Sequence, residues 1–243
     1  MENSTQTNTE NQAPKIKITY WSDYACPFCY IGETRLEKAL KELELADVTE
    51  VQMKAFELDP DADSNDNIPV DIRLARKYGL PLQVARAQLS RMCRLGREEG
   101  IDFKYDSAIY TNMLDAHRLT KFVESKGKDV SKIIHLLFDA YYTRNVRLSD
   151  RDILLDLAEK VGLDKEEVNT MLNGKDFIKE VRSDEMEAYK MGVHGVPYFV
   201  INGKYTINGC ESIPKMKQII TDALTDQLEG SINGMSCGVD GCH

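Results

Sequence analysis

No run of apolar residues in the 243-residue chain approaches the ~18 needed to cross a bilayer, so no membrane-spanning helix is expected. Basic charge is also short. Thirty-one Lys and Arg face 40 Asp and Glu, for a net charge of −9. No basic stripe exists to neutralise phosphates, which argues against a nucleic-acid partner, and an acidic surface disfavours anionic membranes. Histidines number only four, and no second CxxC or HxxxH lies in the body of the chain. A four-ligand structural zinc site is therefore not expected there. The N-terminus, MENSTQTNTENQAP, lacks the charged-then-apolar layout of a secretory signal. A cytoplasmic location follows as an expectation. Six cysteines then read as free, metal-bound or redox-active thiols rather than a disulfide framework.

What is present alternates between two periodicities. Lys15–Ser22 alternates apolar Ile16, Ile18 and Tyr20 with polar partners, a strand pattern. The next segment brings Leu36, Ala39, Leu40 and Leu43 to helical spacing behind a proline suited to a first turn. A second strand is expected at Val48–Leu58, making a βαβ unit with parallel strands. From residue 68 to about 174 the chain reads as successive amphipathic helices. Ser149 with Asp152, and Asp164 with Glu167, are the expected caps of two of them. A further helix leads to a strand at Pro197–Ile201, an Asn202–Gly203 hairpin turn, a return strand KYTI and a closing helix. The fold class is α/β. The segments are a flexible lead-in (1–13), a first α/β part (14–62), a helical insertion (63–174), a second α/β part (175–230) and a cysteine-containing tail (231–243).

The chemistry-bearing stretch is YACPFCYIG, residues 24–32. Cys26 and Cys29 at this spacing could hold a metal, pin a loop or exchange a disulfide. Placement favours exchange, because Cys26 falls where a strand ends and a helix begins, with Pro27 at the first helical position. Unpaired amides and the positive dipole end of that helix favour negative charge on sulfur. Cys26 is therefore expected to be the exposed, low-pKa nucleophile and Cys29 the resolving thiol.

The strand followed by DYACPFCYIG, NMLDAHRL at Asn112–Leu119, LFDAYYTRNVRLSD and GVHGVPYFVINGKYTINGC together resemble the DsbA family of thioredoxin-fold oxidoreductases. The similarity is strongest to the FrnE-like branch, grouped with 2-hydroxychromene-2-carboxylate isomerases and kappa-class glutathione transferases, and it covers about residues 15–228. It implies a thioredoxin-like fold with an inserted helical domain, and a cis peptide at Pro197 facing the cysteine pair. Val196 would offer its backbone to a substrate, with Pro27 and Phe28 flanking it. Phe28 stands where some relatives carry histidine, which implies a less oxidising pair. The isomerase and transferase relatives characteristically have serine at position 26, so two cysteines shift the expectation toward dithiol exchange.

The resemblance thus implies a thiol–disulfide oxidoreductase acting on protein or small-thiol substrates, with no required cofactor and glutathione as a candidate co-substrate. A glutathione-dependent isomerase or transferase is the alternative, and a metal- or partner-binding protein a third reading. Asn112, His117 and His194 are accessory candidates. Cys237 and Cys242, beside His243, read as a second redox pair, a partial metal clip or incidental thiols. Cys93 reads as a packing residue and Cys210 as structural.

Overall fold

In the computed structural model, which describes residues 16–65 and 68–234, a mixed four-stranded sheet runs in the order β2-β1-β3-β4. β1 (Ile16–Ser22) pairs in parallel with β2 (Thr49–Ala55), from Ile16 opposite Thr49 to Ser22 opposite Ala55. β3 (Tyr198–Ile201) runs antiparallel to β1, and β4 (Tyr205–Asn208) antiparallel to β3. Asn202 and Gly203 both have positive φ, 51° and 68°, in the three-residue turn Asn202–Lys204 that joins β3 to β4, closed by Lys204 N donating to the Ile201 carbonyl at 3.1 Å. β2 is shorter than the apolar pattern suggests. Beyond Ala55 the backbone leaves the sheet's outer edge for side chains: Glu57 N donates to Glu185 Oε1 (3.1 Å) and Leu58 N to Asp23 Oδ2 (2.7 Å).

Helices cover both faces of the sheet. α1 (Pro27–Glu42) buries Cys29, Ile31, Leu36, Ala39 and Leu40. α9 (Ile213–Gly234) lies beside it, with Met216, Ile220 and Ala223 buried in the same core. On the opposite face Trp21 and Phe56 pack with Ala188 and Val193. There the indole N–H of Trp21 donates to the Asp184 carbonyl at 2.9 Å.

Between β2 and β3 the chain forms α2 (Val70–Tyr78), α3 (Leu82–Glu98), α4 (Leu114–Ser125), α5 (Val130–Tyr142), α6 (Arg151–Glu159), α7 (Lys165–Asn173) and α8 (Ile178–Lys190). These helices fasten to α1 through aromatic rings. Tyr30 stacks on Phe138 at 4.9 Å between centroids, and Phe103 on Tyr142 at 4.6 Å. Such pairs add to the burial of their large apolar surfaces. Asp164 caps α7 by accepting from the amides of Glu166 and Glu167, at 2.9 and 3.1 Å. The cap of α6 is Asp150 rather than Ser149. Asp150 accepts from the Asp152 amide at 3.0 Å, while the Ser149 hydroxyl is engaged with Thr111 and donates to the Ser64 carbonyl. A carboxylate one residue on is the stronger acceptor, and tertiary contacts claim the serine. Among the described residues no helix is long and apolar enough to cross a membrane.

Candidate active site

β1 ends at Ser22, and the turn into α1 is shaped by Asp23. Its Oδ1 accepts from Ala25 N at 2.9 Å, and its carbonyl accepts from Cys26 N at 3.0 Å. An aspartate that bonds its own backbone two residues on is a local way to reverse a chain. Cys26 is the extended N-cap residue of α1, and Pro27 occupies the first turn, where a missing N–H costs nothing. The Cys26 thiol donates to the Val196 carbonyl at 3.4 Å. The Val196–Pro197 peptide is cis. Pro197 sits close over α1: a Cβ on Gly32 would lie 3.0 Å from Pro197 Cγ.

Cys26 is not the exposed residue that its helix-end position suggests, for only 4% of its surface reaches solvent. The cover comes from distant parts of the chain. It forms the floor of a cleft of about 260 Å³ together with Pro27, Phe28 and Val196. The walls are Val70, Arg73, Leu74, Lys77 and Tyr78 of α2, Met92 of α3, and Leu58, Tyr105 and Tyr110. The Arg73 guanidinium lies 3.6 Å over the Tyr110 ring and pairs with Asp59. The cleft is thus largely apolar and aromatic, with cationic groups on one wall.

Cys29 lies fully buried behind Cys26. Its sulfur accepts from the Asp23 amide at 3.4 Å. Burial, and then the neighbouring Cys26, push the Cys29 thiol well above its ordinary range, while Asp23 N–H and Ser22 pull the other way. Cys26 and Cys29 are both free thiols in this structure. Cys210, half-buried, receives an Arg35 N–H at 3.4 Å, yet burial still pushes its thiol up to about 11. Cys93 is buried in α3.

The accessory candidates are scattered. His117, 1% exposed, lies behind the pair with Nε2 3.6 Å from Asp23 Oδ1 and its ring 4.9 Å from that of Tyr24. Asn112 is a loop anchor: its Nδ2 donates to the carbonyls of Pro60 and Ala62, and its Oδ1 accepts from Leu114 N. His194 is exposed, its ring 6.4 Å from that of Tyr189. Cys237 and Cys242 lie outside the described residues. Sequence reasoning missed Asp23, Arg73, Tyr105 and Tyr110. Only Asp23 carried a local signal, as a turn former between a strand and a helix. Among the described residues no group of three or more His, Cys, Asp or Glu side chains is arranged to hold a metal ion.

The family model described as "DSBA-like thioredoxin domain" matches residues 17–221. The chain is 31% identical to probable DsbA oxidoreductase SCO1869 from Streptomyces coelicolor, with 87% of this chain and 91% of that one covered and a TM-score of 0.82. It shares its fold with 2-hydroxychromene-2-carboxylate isomerase, at 15% identity, coverages of 90% and 99% and a TM-score of 0.63. It also shares it with the cytosolic disulfide reductase DsbM of Pseudomonas aeruginosa, solved with GSH, at 16% identity, coverages of 89% and 99% and a TM-score of 0.56.

Proposed function

The chain belongs to the DsbA-like thioredoxin family, and from that premise we propose that it is a thiol–disulfide oxidoreductase working through Cys26 and Cys29. The observation that carries this reading is the position of the Cys26 sulfur. It stands at the N-terminus of α1, on the floor of an open cleft, against the Val196 carbonyl. In the reducing direction, the Cys26 thiolate attacks a substrate disulfide and one substrate sulfur leaves. Cys29, a turn further in, then attacks Cys26 and releases the second. In the oxidising direction a substrate thiolate opens the Cys26–Cys29 disulfide. The positive end of the α1 dipole lies next to the charge that passes through sulfur in either direction.

The cleft fits an apolar segment of a protein substrate. Its Arg73 and Lys77 wall also suits the carboxylates of a small thiol such as glutathione, our candidate co-substrate. No resident cofactor is needed for such exchange. A cytoplasmic setting accords with this chemistry, because glutathione keeps that compartment reducing. The same cationic wall supports a second reading, a glutathione-dependent isomerase of the 2-hydroxychromene-2-carboxylate type, whose fold the chain shares.

Turbidimetric reduction of insulin separates the two. The chain is expected to accelerate it, Cys26→Ser to abolish the activity, and Cys29→Ser to accumulate mixed disulfides on Cys26. Full activity in Cys26→Ser would overturn the proposal. For the tail, we favour the reading of Cys237 and Cys242 as a second pair that exchanges with the first. Removal of residues 231–243 is then expected to slow reoxidation of Cys26 and Cys29, and an unchanged rate rejects that role.

A further inference from the structure

The net charge of −9 conceals a local excess of the opposite sign. Between residues 70 and 98, the stretch that forms α2 and α3, seven Arg and Lys face two acidic residues. That is a net of +5, and the rest of the chain carries −14. A whole-chain count averages this contrast out. The basic stretch is also the outer wall of the Cys26 cleft, which Arg73, Lys77 and Tyr78 line from α2 and Met92 from α3.

Part of this charge is spent inside the protein. Arg73 pairs with Asp59 and lies over the Tyr110 ring, Arg86 pairs with Asp71, and Arg97 donates to the Phe103 carbonyl. Arg76, Lys77, Arg91 and Arg94 are different. All four are exposed, and none has an ion-pair partner among the described residues. Large apolar side chains stand exposed among them: Tyr78 at 60%, Leu82 at 39% and Val84 at 42%. Exposed apolar groups set among unpaired cations suit a partner that is itself both apolar and acidic.

The floor of the cleft narrows the choice of partner. A nucleic acid or a lipid headgroup matches the charge but brings no sulfur to Cys26. A protein segment with acidic residues beside its cysteine matches both. We propose that the α2–α3 wall, through Arg76 and Lys77, selects substrates whose reacting cysteine is flanked by Asp or Glu. The inference rests on the dithiol reading above and names its substrate class. In the exchange the Cys26 thiolate forms a bond to one substrate sulfur, the substrate S–S bond breaks, and the electron pair leaves on the other sulfur. Cys29 then bonds to Cys26 and releases the first substrate sulfur as a thiolate. Two electrons pass from the protein to the substrate. Cations on the wall act before this step, by raising the rate at which an acidic segment arrives. Arg76 and Lys77 also lie in the last turn of α2, where cations offset the helix dipole. That role alone would leave substrate choice untouched.

Fluorophore–quencher peptide disulfides test this in single turnover, with the reduced full-length chain carrying Cys237→Ser and Cys242→Ser. Three peptides place Asp and Glu, Ser and Gln, or Lys on both sides of the cysteine. Each rate is divided by that of the same peptide with dithiothreitol. At about 10 mM ionic strength the acidic peptide is expected to react at least about tenfold faster than the basic one, with the neutral one between. At about 0.5 M salt the ratio should fall below about threefold, because screening then acts within a few ångströms. Combined Arg76→Glu and Lys77→Glu is expected to bring the low-salt ratio to about one or below. Equal rates in the parent, or a ratio that the double substitution leaves in place, overturn the inference. Should the double variant fail to fold by circular dichroism, the parent decides, and a ratio that salt does not reduce overturns it. A parent without the preference that forms a salt-sensitive dimer in sedimentation assigns the wall to a second copy of the chain, which overturns it too. Fluorescence no faster than with Cys26→Ser, for all three peptides, overturns the dithiol reading itself.

Discussion

The Cys26 sulfur and the Val196 carbonyl meet at 3.4 Å across 170 residues of sequence. One belongs to the strand–helix–strand unit at the start of the chain and the other to the loop that leads into the hairpin near its end. The reactive centre exists only where these two parts close on each other, with α2 and α3 as the outer wall.

Thiol reactivity should follow burial and charge. Cys26 is open to the cleft, Cys210 is half-buried with its thiol pushed up to about 11, and Cys29 is sealed with its thiol pushed well above the ordinary range by burial. Iodoacetamide at about pH 8, followed by peptide mapping, is expected to label Cys26 at least about tenfold faster than Cys29, with Cys210 and Cys93 slow. Preferential labelling of Cys29 would contradict the assigned roles.

Gly32 marks the tightest approach between α1 and the cis-proline loop. In Gly32→Ala the new methyl carbon would lie 3.0 Å from Pro197 Cγ and 3.5 Å from Phe199 Cζ. The gain in helix propensity, about 1 kcal/mol, offsets part of an overpacking cost of about 1–3 kcal/mol. A small loss of stability with a several-fold loss of insulin reduction is expected, since Val196 shifts away from Cys26. Gly96→Ala offers a contrast. There the methyl carbon would fall 2.5 Å from Phe103 Cγ, so a stability loss of about 3 kcal/mol is expected in urea denaturation.

Glu33 is a buried carboxyl on α1 whose Oε1 accepts from the Tyr20 hydroxyl at 2.8 Å, while Oε2 has no partner. Burial raises its pKa to about 7. The folded protein thus holds a proton that the unfolded chain releases near pH 4.5. Stability falls as pH rises from about 4.5 to 7, by a total on the order of 3 kcal/mol, and then levels off. His135, raised by its bond to Glu37, adds a loss of the same sign as pH climbs through its own folded value. Glu33→Gln keeps an acceptor for Tyr20 and removes the larger slope. Urea denaturation at pH 5 and pH 8 is expected to show the variant more stable than the parent at the higher pH. A parallel pH dependence in both proteins would contradict the assignment.

Arg118 is a buried clamp of a different kind. Its guanidinium donates to the carbonyls of Met171, Leu172, Gly174 and Asp176 and pairs with Asp115. It thereby satisfies the C-terminal end of α7 from α4. Arg118→Met leaves these acceptors unpaired and a carboxylate without its cation, at a cost of about 3–5 kcal/mol. A loss below about 1 kcal/mol in urea denaturation would show that solvent replaces the clamp.

Local rules made the sheet and hairpin legible. Alternation in Ile16–Tyr20 and the Asn202–Gly203 pair speak of their own neighbourhoods, and the four-stranded arrangement follows. Where tertiary contacts choose between equal local options, the sequence gives no sign. Ser149 and Asp150 are both good caps, and the decision rests on Thr111 and Ser64, far along the chain. The burial of Cys26 is the same lesson at the site. A helix N-cap reads as open, and its cover arrives from α2, Tyr105 and Val196. The pairing of the CPFC segment with Val196 came from resemblance to a family, since nothing local ties residue 26 to residue 196. Arg73, Tyr105 and Tyr110 lie in segments whose periodicity speaks only of helices and loops.

The span between Cys26 and Val196 also has a consequence during synthesis. At roughly 5–20 residues per second a ribosome adds the intervening 170 residues in roughly 10–30 seconds. Throughout that interval the nucleophile has been made and the Val196 side of its cover has not. The nascent chain carries a naked reactive thiol, free to pair with whatever sulfur it meets. Guarding that thiol until Val196 arrives is part of making this protein.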